Sequence, residues 1–62
     1  MSTGPELSSV ATALGELTSR VASLAESLAG DARDDLATSL YEVERSLGAA
    51  ARRLESMVDD LR

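Results

Sequence analysis

The feature that most constrains this chain is a row of large aliphatic residues spaced alternately by three and four positions. The row runs from Leu7 to Leu28 without interruption, so that one side of a predicted helix is continuously apolar. Such a heptad pattern is typical of a helix that packs lengthwise against another helix. The members of this row, the first leucine seam, are Leu7, Val10, Leu14, Leu17, Val21, Leu24 and Leu28.

The second half of the chain carries a matching row with the same alternating spacing. Between the two rows, Gly30 is a typical residue for the end of a helix and Asp31 a typical residue for the start of the next. Two long helices joined by a turn of about two or three residues predict an antiparallel hairpin. The members of the second leucine seam are Leu36, Leu40, Val43, Leu47, Ala50, Leu54, Met57 and Leu61.

We therefore predict an all-α fold, an antiparallel two-helix αα-hairpin of the coiled-coil type. Residues 1–4 are expected to form a short frayed leader, and residues 5–62 a single helical-hairpin domain. Within that domain helix 1 is expected at about 5–29, the turn at about 30–31 and helix 2 at about 32–61.

Local signals set these bounds. Thr3 followed by Glu6 fits a capping box at the start of helix 1. We expect Gly30 to adopt the left-handed conformation that ends a helix, and Asp31 to cap helix 2. Asp34 and Asp35 then fall in the first turn of helix 2, where negative charge is favourable.

A second row on helix 1, the small stripe, excludes every large side chain. Its Gly15 costs roughly 1 kcal/mol relative to Ala inside a helix, which close approach of a neighbouring helix would offset. We predict that helix 1 contacts a second chain through this stripe. The alternative is that a GC-rich genome simply supplies many alanines. The members of the stripe are Ala11, Gly15, Thr18, Ala22, Ala25 and Ala29.

The chain has 62 residues and no Cys, so neither a disulfide nor a thiolate metal site can stabilise it. A lone hairpin of this size leaves one flank of each leucine in water and is expected to be marginally stable. Joining two hairpins covers those flanks. The expected assembly is therefore a homodimer that forms a four-helix bundle.

Further partner contacts are predicted near the end of helix 2 and at the single aromatic residue. Helix 2 is expected to extend about one turn beyond the first leucine seam, so that helix 1 does not cover its end. Met57, Val58 and Leu61 then form a docking patch. Alternatively, the leader or a dimer mate covers this patch. Tyr41 is either a partner anchor, since Tyr is enriched at interfaces, or a half-buried residue that packs on its own helix.

The residue types present argue against catalysis. There is no His, Cys or Lys, so no Ser has a partner that would activate it. Asp31, Asp34 and Asp35 are better explained by helix capping than as half of a metal site, because further oxygen ligands are missing. We expect no enzyme activity, no catalytic residues, no cofactor and no metal.

These observations favour a small protein that acts through protein–protein contacts, as a self-associating assembly protein or as an accessory subunit of a larger complex. The alternative is a regulatory module, similar in role to an antitoxin or anti-factor, that presents a helix face to a target protein. The absence of Lys, Asn, Ile and Phe favours a GC-rich bacterial genome. No signal peptide or membrane span is recognisable, so a cytoplasmic location is expected, with signal-less secretion left open.

The charge balance predicts that this chain does not bind nucleic acid or anionic membranes. Its net charge is −5, from eleven acidic and six basic residues, and it lacks aromatic residues for base stacking apart from one Tyr. Fluorescence anisotropy with labelled RNA and duplex DNA should show no binding up to about 100 µM protein at near-physiological salt. Binding that weakens as salt rises would contradict this prediction.

Overall fold

The computed structural model describes residues 3–61, and two α-helices contain almost all of them. The first, α1, spans Thr3–Gly30 and the second, α2, spans Asp34–Asp60. The two helices pack against each other along their lengths as an antiparallel hairpin. Between residues 3 and 61 there is no β-strand. The predicted all-α hairpin is thereby confirmed.

The hairpin is a thin rod of one helix layer. It measures 48 × 14 × 10 Å and has a radius of gyration of 14.3 Å. A compact domain of this length would have a radius of gyration of about 11 Å. Every residue therefore lies close to solvent unless the opposite helix covers it.

The start of α1 differs from the prediction. Thr3 is already helical, so it does not stand outside the helix as an N-cap residue does, and Gly4 does not belong to a frayed leader. The predicted leader also includes Met1 and Ser2, which lie outside the described residues. Because α1 begins earlier than expected, its 28 residues match the 27 residues of α2.

The end of α1 also differs from the prediction, because the helix continues through Gly30 and into the turn. The backbone N–H of Asp31 donates to the carbonyl oxygens of Ser27 at 3.0 Å and Leu28 at 3.2 Å. Gly30 consequently has a negative φ and a helical conformation. The connection occupies residues 31–33, in agreement with the predicted two or three residues.

The left-handed residue that ends α1 is Ala32, with φ at 62°. Its N–H donates to the carbonyl of Ala29 at 3.2 Å, and the N–H of Arg33 donates to the carbonyl of Leu28 at 2.8 Å. These two bonds form a Schellman motif, which normally has Gly at the left-handed position. An alanine there is strained, because its Cβ approaches the following carbonyl oxygen.

The first residues of α2 are only partly as predicted. The N-cap position is occupied by Arg33, without a side-chain capping hydrogen bond, and not by Asp31. Asp34 and Asp35 lie in the first turn, which confirms their predicted position. The Nε of Arg33 lies 3.6 Å from Oδ1 of Asp35, but both side chains are exposed, so the pair contributes little to stability.

This turn geometry predicts that Ala32→Gly and Gly30→Ala both stabilise the hairpin. The first removes strain at a positive φ and the second removes a helical glycine, each worth about 1 kcal/mol. A Cβ at Gly30 would meet nothing within 4 Å. Each variant should raise the thermal midpoint by about 4–8 °C in circular dichroism. If Gly30 were the left-handed residue, Gly30→Ala would instead lower the midpoint.

The interior of the hairpin consists of alanine. The four buried residues of the described chain are Ala11, Ala25, Ala37 and Ala51, whose exposed fractions are 6%, 0%, 3% and 7%. The two alanines of each helix are separated by fourteen residues, and the two sets are placed symmetrically about Asp31. On each helix these alanines therefore mark the side that the other helix covers. Such small residues let helix axes approach toward the short end of the usual range of about 8–10 Å.

Residues at heptad spacing from these alanines continue the line along which the helices touch. Thr18, Glu44 and Val58 are half-buried and stand one heptad from a buried alanine. Together with the four alanines they form what we call the contact line. The hairpin is thus closed along a row of small residues, and the leucine seams lie to one side of it.

The position of the small stripe differs from the prediction that it meets a second chain. Ala11 and Ala25 are covered by the second helix of the same hairpin, so they are not available to a partner. Gly15, Thr18 and Ala22 are half-buried beside them, whereas Ala29 is exposed. The physical reason is volume, because small side chains on the contact line allow the helices to approach closely, with more dispersion contacts.

Ala25→Gln should therefore unfold the hairpin itself. A longer side chain at a fully buried position overpacks the contact and buries an amide, which together cost on the order of 2–4 kcal/mol. Ala49→Gln makes the same exchange at an exposed position of α2 and should change stability by less than about 0.5 kcal/mol. The measurement is chemical denaturation followed by circular dichroism. If the stripe met a second chain, Ala25→Gln would dissociate an oligomer and leave the helicity of the monomer intact.

Candidate protein-interaction surface

Each leucine seam divides into a half-buried set and an exposed set. On α1 the half-buried set is Leu7, Leu14, Val21 and Leu28, and the exposed set is Val10, Leu17 and Leu24. On α2 the half-buried set is Leu40, Leu47, Ala50 and Leu54, and the exposed set is Leu36, Val43, Met57 and Leu61. The exposed members retain between 41% and 57% of their accessible surface. The single hairpin therefore leaves half of each seam in water.

The exposed sets of the two helices share one face of the hairpin. Val10, Leu17 and Leu24 each directly precede a residue of the contact line on α1. Leu36, Val43 and Met57 do the same on α2. The residue before a contact-line residue lies 100° from it around the helix axis. Because the two helices are antiparallel, this rotation places the preceding residues of both helices on the same side of the hairpin. We call this side the leucine face, formed by Val10, Leu17, Leu24, Leu36, Val43, Met57 and Leu61.

The opposite side of the hairpin is polar. It is formed by the residues that directly follow the contact line, all of which are exposed. These residues are Thr12, Ser19, Glu26, Thr38, Arg45, Arg52 and Asp59. The hairpin is therefore amphipathic as a unit, with one apolar and one polar side. A side this apolar on a folded chain is typical of a surface that binds another protein.

The accessible area supports the same conclusion. The hairpin exposes 4604 Å². A compact monomer of 6.5 kDa would expose about 3,800 Å². The difference is close to the area of about 800 Å² that one partner contributes to a standard protein–protein interface. Covering the leucine face would bring the exposed area per chain to an ordinary value.

The predicted docking patch at the end of α2 is only partly exposed, and for a different reason than expected. Since α1 and α2 have nearly equal lengths, α2 does not extend beyond α1. Met57 and Leu61 are exposed because they belong to the leucine face. Val58 is half-buried on the contact line. It also borders an open cavity of about 300 Å³, lined by Ser8, Ala11, Thr12, Glu55, Val58 and Asp59.

Tyr41 lies away from the leucine face. Tyr41 follows buried Ala37 by four residues, which places it about 40° around the helix from the contact line, on the side away from the leucine face. Gly48 lies two turns further along the same side of α2. The side chain of Tyr41 is 43% exposed. A partner bound to the leucine face would leave Tyr41 uncovered. Its role as a partner anchor stays a prediction.

The polar residues of the hairpin were also compared with the arrangements that metal binding requires. Among residues 3–61, no group of three or more acidic side chains is placed to hold a metal ion. The hydroxyl of Thr18 donates to the carbonyl of Leu14 at 2.7 Å and so serves its own helix. The expectation that the chain is not an enzyme stays a prediction. Over the same residues, neither helix combines the length and hydropathy needed to cross a bilayer.

Comparison with known proteins gives no relative. The chain matches no protein-family model, and neither a curated protein nor a solved structure matches it. The function of the hairpin is therefore inferred from its own surface.

The sequence prediction expected one flank of every leucine in water and missed the division of each seam into a half-buried and an exposed set. The signal that distinguishes the two arrangements is the equal spacing of Ala11 and Ala25 on one helix and of Ala37 and Ala51 on the other. Small residues that recur at the same spacing on both helices indicate a line of close contact between those helices. A stripe of small residues on one helix alone does not indicate such a contact.

Proposed function

We propose that this chain is a non-enzymatic protein that acts through protein–protein contacts and self-associates through its leucine face. Two hairpins stacked face to face form a four-helix bundle, as a structural or assembly protein or as an accessory subunit of a larger complex. The observation that carries this proposal is the continuous row of half-exposed aliphatic side chains along one side of the hairpin. The proposal includes a cytoplasmic location, no cofactor and no nucleic-acid ligand.

A second copy suits the leucine face for two physical reasons. The face is as long as the hairpin itself, so a partner of equal length covers all of it. A two-fold symmetric contact uses the same patch on both subunits, and each copy then supplies the apolar surface that the other lacks. Two packed layers are also the usual minimum for a domain with a stable core.

Leu17→Glu should dissociate the assembly while the chain remains helical. Leu17 lies near the middle of the leucine face, and a carboxylate there would be buried without a partner. We expect the dissociation constant of the dimer to rise by at least about 30-fold, equivalent to roughly 2 kcal/mol. Sedimentation velocity measures the association, and circular dichroism measures the helical content.

Ser19→Glu is the matched control. It introduces a carboxylate two residues away, which is 200° around the same helix, on the polar side. This variant should dimerise as the wild type does. A wild-type chain that sediments as a monomer would contradict self-association and favour the alternative of a regulatory module with a different target protein. Equal dissociation by both variants would show that the leucine face is not the interface.

A further inference from the structure

The side of the hairpin away from the leucine face carries a row of four residues on α2 that self-association does not use. Their spacings of 4, 3 and 4 positions place them on one stripe of the helix. Arg45 and Arg52 directly follow residues of the contact line, so they belong to the polar side. We call this row the tyrosine–arginine stripe, formed by Tyr41, Arg45, Gly48 and Arg52.

The large side chains of the stripe are accessible and lack charged partners. Tyr41 is 43% exposed, and both arginines are exposed. The salt bridge that the structure shows within residues 3–61 joins Arg33 to Asp35, so neither arginine of the stripe is paired with a carboxylate there. Both guanidinium groups are therefore available to an anionic group of another molecule, and the ring of Tyr41 offers apolar surface beside them.

Gly48 leaves room between the two arginines. A Cβ added at Gly48 would lie 3.5 Å from Nη1 of Arg52, so the guanidinium of Arg52 lies over this glycine. Side chains of a helix generally point back toward its first residue, and here that direction leads along the stripe toward Arg45. The two arginines are separated by two helix turns, about 10.5 Å along the axis.

On α1 the polar side carries almost no large side chains. Because the helices are antiparallel, residues one or four positions after the contact line lie on this side of both helices. On α1 only Glu26 among them is larger than threonine, so the stripe stands beside a low surface that a third helix can approach closely. These residues of α1 are Thr12, Gly15, Ser19, Ala22, Glu26 and Ala29.

Acidic residues limit the positive region at both ends of the stripe. Asp34 precedes Tyr41 by seven positions, Glu55 follows Arg52 by three, and both acids are exposed. The chain as a whole has a net charge of −5. A long polyanion such as nucleic acid would be repelled by these carboxylates, whereas a short segment with two carboxylates spaced like the arginines would not meet them.

We propose that the tyrosine–arginine stripe is a second interaction surface, which binds a helical segment of another protein that presents two carboxylates seven residues apart. Carboxylates at this spacing stand two turns apart on a helix, as Arg45 and Arg52 do. Guanidinium groups bind carboxylates through paired hydrogen bonds, and Tyr and Arg are enriched among the residues that dominate interfaces. The inference goes beyond the proposed self-association and does not depend on it, because the two surfaces lie on different sides of the hairpin.

The test titrates the ¹⁵N-labelled chain with an alanine-based peptide of about twenty residues, long enough to be helical in water, that carries two Glu seven positions apart. The amide signals of the stripe should shift in NMR spectra, with a dissociation constant of about 0.1–1 mM. A second peptide with Gln in place of both Glu should bind at least about fivefold more weakly, because it lacks both ion pairs.

Single substitutions show whether the stripe itself is responsible. Arg52→Gln and Tyr41→Ala should each weaken binding of the Glu peptide about threefold. Arg53→Gln is the matched control, because it removes the same charge from the next exposed residue, 100° further around α2 and outside the stripe. This control should bind the peptide as the wild type does. Equal weakening by Arg52→Gln and Arg53→Gln would overturn the inference, since net charge alone would then explain the binding.

The remaining outcomes separate this inference from the proposed function. Leu17→Glu should bind the Glu peptide as the wild type does, whether or not it self-associates. If no signal of the stripe shifts at about 2 mM peptide, or if both peptides bind equally well, the second surface is wrong while self-association stands. A DNA oligonucleotide that shifts the same signals as strongly would also overturn the inference, because the stripe would then not select a protein segment. A monomeric wild type that binds the Glu peptide selectively would overturn self-association alone.

Discussion

The burial of alanines along the line where the two helices touch is the constraint on which the rest of this structure depends. Ala25 and Ala37 near the turn, and Ala11 and Ala51 further along, are the four buried residues between residues 3 and 61. Once small residues occupy the line of contact, the larger aliphatic residues beside them cannot lie between the helices as well. They rotate to one side, where they form the leucine face. The shape of the fold and the character of its surface thus have one cause.

The sequence predicted the hairpin but not the rotation of its helices. Alternating spacings of three and four establish that a helix has an apolar side, and the break at Gly30–Asp31 shows where the chain turns. A rotation of about 100° exchanges the leucine seam for the neighbouring row without changing either pattern. The choice depends on side-chain volumes on both helices together, so the interface residues assigned from helix 1 alone were placed differently by the structure.

The turn shows the same limit at the scale of single residues. Gly is the usual left-handed residue at a helix end, yet here Gly30 remains helical and Ala32 takes that conformation. Because α1 continues through Gly30, the left-handed conformation falls two residues later, on Ala32. The packed hairpin therefore overrides a local preference worth about 1 kcal/mol. Asp34 and Asp35 lie where local rules put them.

Between residues 3 and 61 no large side chain is buried, and this has a consequence for how such a chain would persist in a cell. The free energy gained by closing the hairpin alone is small, so any partner that covers the leucine face adds stability by mass action. If the proposed association occurs, the population of the folded form depends on concentration. Copies bound to a partner would then be protected, whereas surplus copies would open more readily and be accessible to proteases. Abundance would in this way be matched to assembly without a dedicated regulator.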